Sequence, residues 1–284
     1  MLHIPHHDNH NKPIIDIGDT DVPLTFFNIV RLKGGEEFVS TVPGYETCLV
    51  PAHGTIDAVV NGGSVTKARF EAVGDRPSVW EGEPSAVYVP SGCTARFECR
   101  SPSAEVFVAG GRFDETFEPF VVRPANIDPV QYGSDETKTH RKIKHILGQK
   151  PPGRVGRLLV SELFTVGAGG WSGFPPHKHD RDRQPVETRH DEVYNYRFRP
   201  DHGFGLQLLQ PDGAEIGNAF HIRNDSTVKI RGYHPCVAAP GYEMYYFTIL
   251  AGLSQRSLTQ YFQPEHAYQI ETIPGIKNMI AKFK

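Results

Sequence analysis

The sequence predicts an all-β protein built from two jelly-roll barrels, with a few short helices. Turn-forming residues are abundant, with 28 glycines and 23 prolines among 284 residues. Apolar residues make up 38 % of the chain and are spread along it in short, strand-forming runs. Many short strands separated by Gly and Pro turns are typical of sandwiches and jelly-roll barrels. The second half of the chain repeats the pattern of the first, which predicts two barrels.

The first half contains a series of short strand-forming segments. Asn61-Gly62-Gly63 between two of them is a hairpin signal, because these residues accept the backbone of a tight turn. We predict strands over 24–32, 46–51, 55–60, 78–80, 86–90, 95–99 and 105–109.

The second half is predicted to contain strands over 157–166, 192–199, 204–209, 220–223, 227–230 and 243–250, with a short closing helix over 278–283. Between the halves the chain carries more charge and less alternation, and we interpret it as a surface linker with a short helix near 125–131. The predicted domains are therefore a first barrel over 1–115, a linker over 116–150 and a second barrel over 151–284.

Composition excludes several classes of function. The net charge is −3 and the pI about 6.5, and no basic run is concentrated enough to predict a nucleic-acid partner. No apolar run approaches the length that spans a membrane. The four cysteines lack close-pair spacing and no signal peptide precedes them, so we expect free thiols and a cytoplasmic protein.

The ordered set His177, His179, Glu192 and His234 predicts a metal site in the second half. Side chains alternate along a strand, so His177 and His179 share a face about 7 Å apart. Two imidazoles at that spacing can converge on one ion at metal–nitrogen distances of about 2 Å. Three imidazoles and a carboxylate leave two positions open on an octahedral ion, enough for two substrate oxygens.

The first half lacks this set. Residues 88–94 resemble residues 228–234, since each run places a turn with Gly after a strand. No histidine follows Gly92, and no His-x-His precedes it. We therefore predict that the first barrel has no metal site.

The motifs of the second half resemble the cupin superfamily, and the doubled pattern resembles a bicupin. Within it, the chain resembles the 5-deoxy-glucuronate isomerases of myo-inositol breakdown over about residues 20–270, most strongly over 171–252. The matching motifs are Pro175-Pro176-His177-Lys178-His179-Asp180, Glu192-Val193-Tyr194-Asn195-Tyr196-Arg197, Gly203-Phe204, Arg231-Gly232-Tyr233-His234-Pro235, Ala239-Pro240-Gly241-Tyr242, Tyr245-Tyr246 and Ala251-Gly252.

The resemblance implies one divalent ion per chain (Zn, Mn, Fe or Ni) at the four matching positions. It also implies aldose–ketose isomerisation of 5-deoxy-D-glucuronate to 2-deoxy-5-keto-D-gluconate. The chain departs from the family pattern at Ile230, Thr248 and Tyr268. We interpret these departures as remote from the ligands, and they leave another uronate open as substrate.

An isomerase of this kind must move a proton between adjacent carbons and bind a carboxylate. Glu187, in the insertion over the site, is the predicted general base, although a hydride shift needs none. Arg141 and Arg231 are predicted to bind the substrate carboxylate. Predicted partners of its hydroxyls are Tyr196, Gln207 and Tyr246.

Two other classes of function use the same four residues. One is a cupin dioxygenase, and the other is a sugar-binding bicupin without enzymatic activity. The partners we expect are a small sugar acid and further copies of the chain in a homo-oligomer, without nucleic acid or membrane.

Overall fold

The computed structural model describes residues 1–284 and confirms the all-β class. The chain forms 22 strands, two 3-10 helices and one short α-helix. The strands are β1 His3–Ile4, β2 Thr25–Lys33, β3 Glu37–Thr41, β4 Tyr45–His53, β5 Ile56–Gly62, β6 Val65–Val73, β7 Ala86–Val89, β8 Thr94–Cys99, β9 Ser103–Arg112, β10 Phe120–Val122, β11 Asp128–Tyr132, β12 Arg141–Leu147, β13 Leu158–Thr165, β14 Gly170–Ser172, β15 His177–Lys178, β16 His190–Arg199, β17 Phe204–Leu209, β18 Asn218–Arg223, β19 Thr227–Ile230, β20 Cys236–Ala238, β21 Glu243–Gly252 and β22 Tyr261–Phe262. The 3-10 helices are Pro124–Asn126 and Pro264–Glu271, and the α-helix α1 is Ile276–Ala281.

The chain divides into two compact units, each assembled from separate stretches. The first unit comprises Met1–His7, Pro129–His145 and Ser161–Lys284. The second comprises Asp8–Asp128 and Ile146–Val160. The division into domains over 1–115, 116–150 and 151–284 stays a prediction.

The first unit contains the predicted metal residues. Its largest sheet has the order β1-β19-β16-β21-β13-β12-β11, so β16 is paired on both edges. Smaller sheets have the orders β14-β20-β17-β18 and β15-β22. Apart from Arg197 and the terminal Arg199, every residue of β16 is buried. A strand that is both doubly paired and buried is a rigid support for the side chains it carries.

The second unit has two sheets, with the orders β10-β7-β4-β9-β2 and β3-β8-β5-β6. Its core is one apolar cluster of side chains from these sheets, with Val30, Leu49, Ile56, Phe97 and Val106 among its fully buried members. Burial of such side chains contributes about 1.5–3 kcal/mol each. The predicted hairpin at Asn61 is the connection of β5 and β6.

The segment 116–150, which we interpreted as a linker, contains more strand than expected. It holds β10, β11 and β12, and the predicted helix near 125–131 is a 3-10 turn over Pro124–Asn126 followed by β11. The charged residues of this segment hid its strands in the sequence. β11, for example, alternates mainly between half-buried and exposed positions, so it has no continuous apolar face that a sequence pattern would reveal.

Two further expectations concern the termini and the cysteines. The closing helix is present as α1, displaced by two residues from the prediction. All four cysteines are free and buried. None of the helices combines the length and apolarity that crossing a membrane requires.

Candidate metal centre

Four elements of the first unit deliver the predicted metal residues. His177 lies on β15, which pairs with β22, and His179 follows directly after β15. Glu192 lies on β16 between Ile230 of β19 and Leu250 of β21. His234 lies in the turn between β19 and β20, where Gly232 adopts a positive φ of 72°.

The δ nitrogens of the three histidines all face backbone carbonyl groups. His177 Nδ1 lies 3.2 Å from the oxygen of Pro175, His179 Nδ1 lies 3.0 Å from that of His190, and His234 Nδ1 lies 2.8 Å from that of Gly232. A carbonyl oxygen only accepts, so each Nδ1 carries a hydrogen, and Nε2 is the nitrogen left for a metal ion. This arrangement fixes the tautomer in which metal-binding histidines occur.

The ε nitrogens converge on one point. Ligand atoms of His177, His179 and His234 all lie within 4.8 Å of one another, and the three residues are buried. His234 Nε2 is buried without a hydrogen-bond partner. Since a buried polar atom without a partner is costly, this convergence fits a bound cation.

Glu192 supplies negative charge at the same point. Its Oε2 lies 3.1 Å from His179 Nε2 and 3.5 Å from His234 Nε2. Its Oε1 accepts a hydrogen bond of 2.8 Å from Thr248 Oγ1. Our interpretation that Thr248 is remote from the ligands was wrong. Thr248 lies on β21, which pairs with β16, and it is the diagonal cross-strand neighbour of Glu192.

The electrostatics keep two of the imidazoles neutral. Burial, with the charge of neighbouring His179, lowers the pKa of His177 to about 3. Burial also lowers the pKa of His234 well below its usual value. Burial opposes protonation of His179 too, but the hydrogen bond and charge of Glu192 outweigh it and raise its pKa. Neutral imidazoles are the form that binds metal.

A cavity of about 40 Å³ adjoins the histidines. Polar residues of its lining include His177, His179, Glu192, Thr248 and Gln260. The apolar residues of its lining are Ile143, Leu163, Leu250, Leu258, Met279 and Phe283. The last three belong to the C-terminal segment, which comprises residues 253–284 after β21. Within it the Phe283 carbonyl accepts a hydrogen bond of 2.7 Å from the Leu258 amide.

Three tyrosines complete the cavity wall. Tyr132, Tyr194 and Tyr246 line it, and burial raises the pKa of each above its usual value. Their hydroxyls therefore stay protonated at neutral pH. Tyr246 Oη lies 2.6 Å from Ser172 Oγ. Tyr246 thus lines the cavity, and its predicted contact with a substrate hydroxyl stays a prediction.

Glu187 lies outside the cavity, in a buried ion-pair cluster. Its carboxylate accepts from Lys178 Nζ at 2.9 Å and from the amides of Asp180 and Arg181 at 3.0 Å each. Arg183 also donates to it. A fully buried carboxylate with this many donors has no free lone pair for a substrate, so the geometry contradicts Glu187 as general base. The Glu187 carboxylate lies with Lys178, which alternates away from His177 and His179.

Tyr196 and Gln207 also lie away from the cavity, contrary to their predicted role. The Tyr196 hydroxyl donates to Gln207 Oε1. Gln207 Nε2 donates to the carbonyls of His234 at 2.9 Å and Pro235 at 3.2 Å. Because the amide of Gln207 is occupied by protein partners, it anchors the turn that presents His234 instead of binding a ligand.

The two predicted arginines differ in position. Arg231 is exposed and does not line the cavity. Arg141 is fully buried, and its Nε and Nη2 donate to the carbonyls of Trp171 at 2.6 Å and Gly170 at 3.0 Å. Its Nη1 is buried and has no hydrogen-bond partner. Arg141 does not itself line the cavity, but its charge acts on Tyr132 and Tyr246, which do.

Sequence reasoning missed Gln260 and the apolar side chains of the C-terminal segment. Gln260 lines the cavity and its Nε2 lies 2.9 Å from His177 Nε2. No motif marks it, because an isolated Gln in a loop has no spacing signal. The contacts of Met279 and Phe283 depend on where the chain end returns, which local sequence does not determine.

The chain has the features of a bicupin with a candidate mononuclear metal centre. It has two β-sheet units, and one of them carries three histidines beside a carboxylate. Comparison with known proteins narrows this class. The chain belongs to the KduI/IolB family, whose model matches residues 2–269.

Relatives and solved structures agree with this assignment. The chain is 31 % identical to the 5-deoxy-glucuronate isomerase of Geobacillus kaustophilus over 87 % of this chain and 86 % of that protein. It is 28 % identical to the enzyme of the same name from Lacticaseibacillus casei over 91 % and 93 %. The crystal structure of an IolB-like protein from Salmonella typhimurium superposes with a TM-score of 0.83 at 26 % identity, covering 94 % of this chain and 98 % of that one.

A more distant likeness concerns the fold alone. The oxalate decarboxylase of Lactobacillus farciminis superposes with a TM-score of 0.62 at 8 % identity, covering 100 % of this chain and 96 % of that one. The family model and the curated relatives, not this likeness, confirm the resemblance to the 5-deoxy-glucuronate isomerase family.

Proposed function

We propose that this chain is a metal-dependent aldose–ketose isomerase that converts 5-deoxy-glucuronate to 2-deoxy-5-keto-gluconate. The observation that carries the proposal is the convergence of three buried Nε2 atoms beside Glu192, with every Nδ1 held by a backbone carbonyl. Family membership and relatives that carry this enzyme name support the substrate. One divalent ion per chain, a cytoplasmic setting and a homo-oligomer belong to the same proposal.

The donor set fits a divalent cation. His177, His179, Glu192 and His234 would hold it, through three imidazole nitrogens and one carboxylate oxygen. When bound, such an ion polarises a substrate carbonyl as a Lewis acid. Zn, Mn, Fe and Ni all accept imidazole and carboxylate ligands, so the residues do not select among them.

The chain's own residues orient the sugar and exclude water. The hydroxyls of Tyr132, Tyr194 and Tyr246 stay protonated because burial raises each pKa, so they can donate hydrogen bonds to substrate oxygens. The apolar side of the cavity offers no such partner. It suits the deoxygenated carbon of 5-deoxy-glucuronate, which carries no hydroxyl.

The substrate carboxylate requires a cation near the cavity. Arg141 supports this role because its buried Nη1 lacks a partner while its Nε and Nη2 donate to backbone carbonyls.

Proton transfer between the substrate carbons has fewer candidate residues. Of the residues that line the cavity, Glu192 alone carries a carboxylate, and a hydride shift between adjacent carbons needs no further base.

Metal analysis combined with an isomerase assay tests the proposal. We expect one divalent ion per chain and turnover of 5-deoxy-glucuronate. His179→Ala should abolish both, because it removes a ligand from the cluster. The matched control is His202→Ala, since the His202 side chain is 67 % exposed. Full metal occupancy without turnover of any uronate, or oxygen uptake with a substrate, would contradict the isomerase.

A further inference from the structure

Gln260 is the one neutral amide among the residues lining the cavity, and the proposed reaction does not yet use it. Its Nε2 lies 2.9 Å from His177 Nε2, the nitrogen through which His177 would hold the ion. Its Oε1 is buried and has no hydrogen-bond partner. One end of this carboxamide therefore lies at the metal-binding nitrogen of His177, and the other end lacks a hydrogen-bond partner. Such a group is positioned to bind a ligand.

The backbone on both sides of Gln260 is fixed. Upstream, the Leu258 amide donates to Phe283, and the Thr259 amide donates to Thr188 Oγ1 at 2.8 Å. Downstream, Tyr261 and Phe262 form β22, which pairs with Lys178 and His177. The backbone of Gln260 is therefore held next to the two-stranded sheet that carries His177, and this limits where its side chain can move relative to the cavity.

Its neighbours determine which ligand Gln260 can serve. The four predicted ligands already satisfy the donor set of a mononuclear cation, and three of them are imidazoles that require no further amide. A sugar acid brings adjacent hydroxyl and carbonyl oxygens to the same place. An amide can donate to one of these oxygens and accept from a second.

We propose that Gln260 is a substrate-contacting residue whose carboxamide binds the adjacent sugar oxygens next to the metal centre, and that it is not a metal ligand. The inference rests on the proposed isomerase function and adds a residue from the C-terminal segment to the binding site. The C-terminal segment therefore supplies both the apolar wall and one polar contact on the metal side.

The test compares Gln260→Leu with Gln255→Leu. Gln255 lies on the same stretch, but its side chain bonds Gln184 and the Ser257 carbonyl outside the cavity. We expect Gln260→Leu to lower kcat/KM for 5-deoxy-glucuronate roughly 10- to 100-fold, because a substrate group loses its partner in a desolvated site. Gln255→Leu should behave like the wild-type protein.

Metal retention against a chelator, measured without substrate, separates the alternatives. Retention in Gln260→Leu should stay within about twofold of wild type, whereas loss of a second-sphere or direct contact to a metal costs about 10-fold or more. A parallel loss of metal would make Gln260 a ligand and overturn the proposal. Unchanged kinetics in Gln260→Leu would also overturn it, by reducing the residue to packing.

Failure of the proposed function gives a different result. In that case the wild-type protein itself shows no turnover of 5-deoxy-glucuronate. Calorimetric binding of this sugar acid to the metal-loaded wild-type and Gln260→Leu proteins then decides the inference. Weaker binding by the variant supports Gln260 as a contact, and equal or absent binding in both proteins overturns it.

Discussion

Thr248 Oγ1 donates a hydrogen bond of 2.8 Å to Glu192 Oε1, while the other oxygen of Glu192 faces His179 Nε2 at 3.1 Å. The two residues lie on neighbouring strands of one sheet, where Glu192 is opposite Leu250 and Tyr194 is opposite Thr248. Thr248 therefore fixes which oxygen of Glu192 turns toward the histidines.

Thr248→Val should weaken metal binding about 10- to 100-fold while preserving the fold, because it removes the hydroxyl and keeps the shape. Chelator titration monitors the ion, and circular dichroism monitors the fold. Thr227→Val is the matched control. Thr227 lies on β19, which pairs with the opposite edge of β16, and its hydroxyl accepts a hydrogen bond from Asn195. Unaltered metal affinity in Thr248→Val would show that Glu192 needs no such support.

Glu187→Gln should lower the free energy of unfolding by about 3–5 kcal/mol, because it breaks a buried ion pair and leaves the Lys178 ammonium only the partly exposed carboxylates of Asp180 and Asp212. The folded variant should keep kcat within about fivefold of wild type, whereas loss of a general base costs about 100-fold or more. Urea denaturation and steady-state kinetics measure the two effects. Glu243→Gln, at a half-exposed pair with Arg199, should cost less than about 1 kcal/mol. A stable Glu187→Gln enzyme with abolished turnover would restore Glu187 as the base.

Tyr246→Phe and Tyr196→Phe should separate catalysis from stability. Tyr246 lines the cavity, so loss of its hydroxyl should lower kcat/KM about 10-fold. Tyr196 bonds Gln207 away from the cavity, so its loss should leave kcat/KM within about twofold. It should lower the free energy of unfolding by about 1–3 kcal/mol, because Gln207 loses a buried partner. The reverse pattern would place the substrate at Tyr196 and Gln207, outside the cavity.

Phe283→Ala should relax substrate selectivity. The Phe283 ring packs edge-on against His145, with centroids 4.9 Å apart, and forms part of the apolar wall. A smaller side chain enlarges the cavity next to the deoxygenated carbon, so discrimination against glucuronate should fall about 10-fold. The ratio of kcat/KM for the two sugars measures it. Ile216→Ala is the control, since Ile216 is 81 % exposed. An unchanged ratio would remove the C-terminal segment from the selectivity of the site.

Several parts of the fold and site could be predicted from local sequence. Alternation along a strand predicted that His177 and His179 share a face, and in the structure Lys178 between them pairs with Glu187. The turn at Gly232 placed His234 at the end of β19. These inferences succeeded because strand periodicity and turn conformation are properties of a few consecutive residues.

Other parts depended on contacts between distant segments. We predicted Glu187 as general base from its place in the insertion, Tyr196 as a substrate contact from its shared face with Glu192, and Gln207 as a substrate contact because it is an isolated polar residue on an apolar strand. Each is instead satisfied by protein partners that no spacing rule identifies.

The sequence by itself determined the all-β class, the four residues of the candidate metal centre and the family. Only the tertiary structure decided which neighbours face that centre, namely Thr248 behind Glu192, Gln260 beside His177 and the C-terminal side chains across the cavity. The physical reason is distance along the chain. Gln260 is 83 residues from His177 and Thr248 is 56 from Glu192, so their contacts exist only after the sheets have paired.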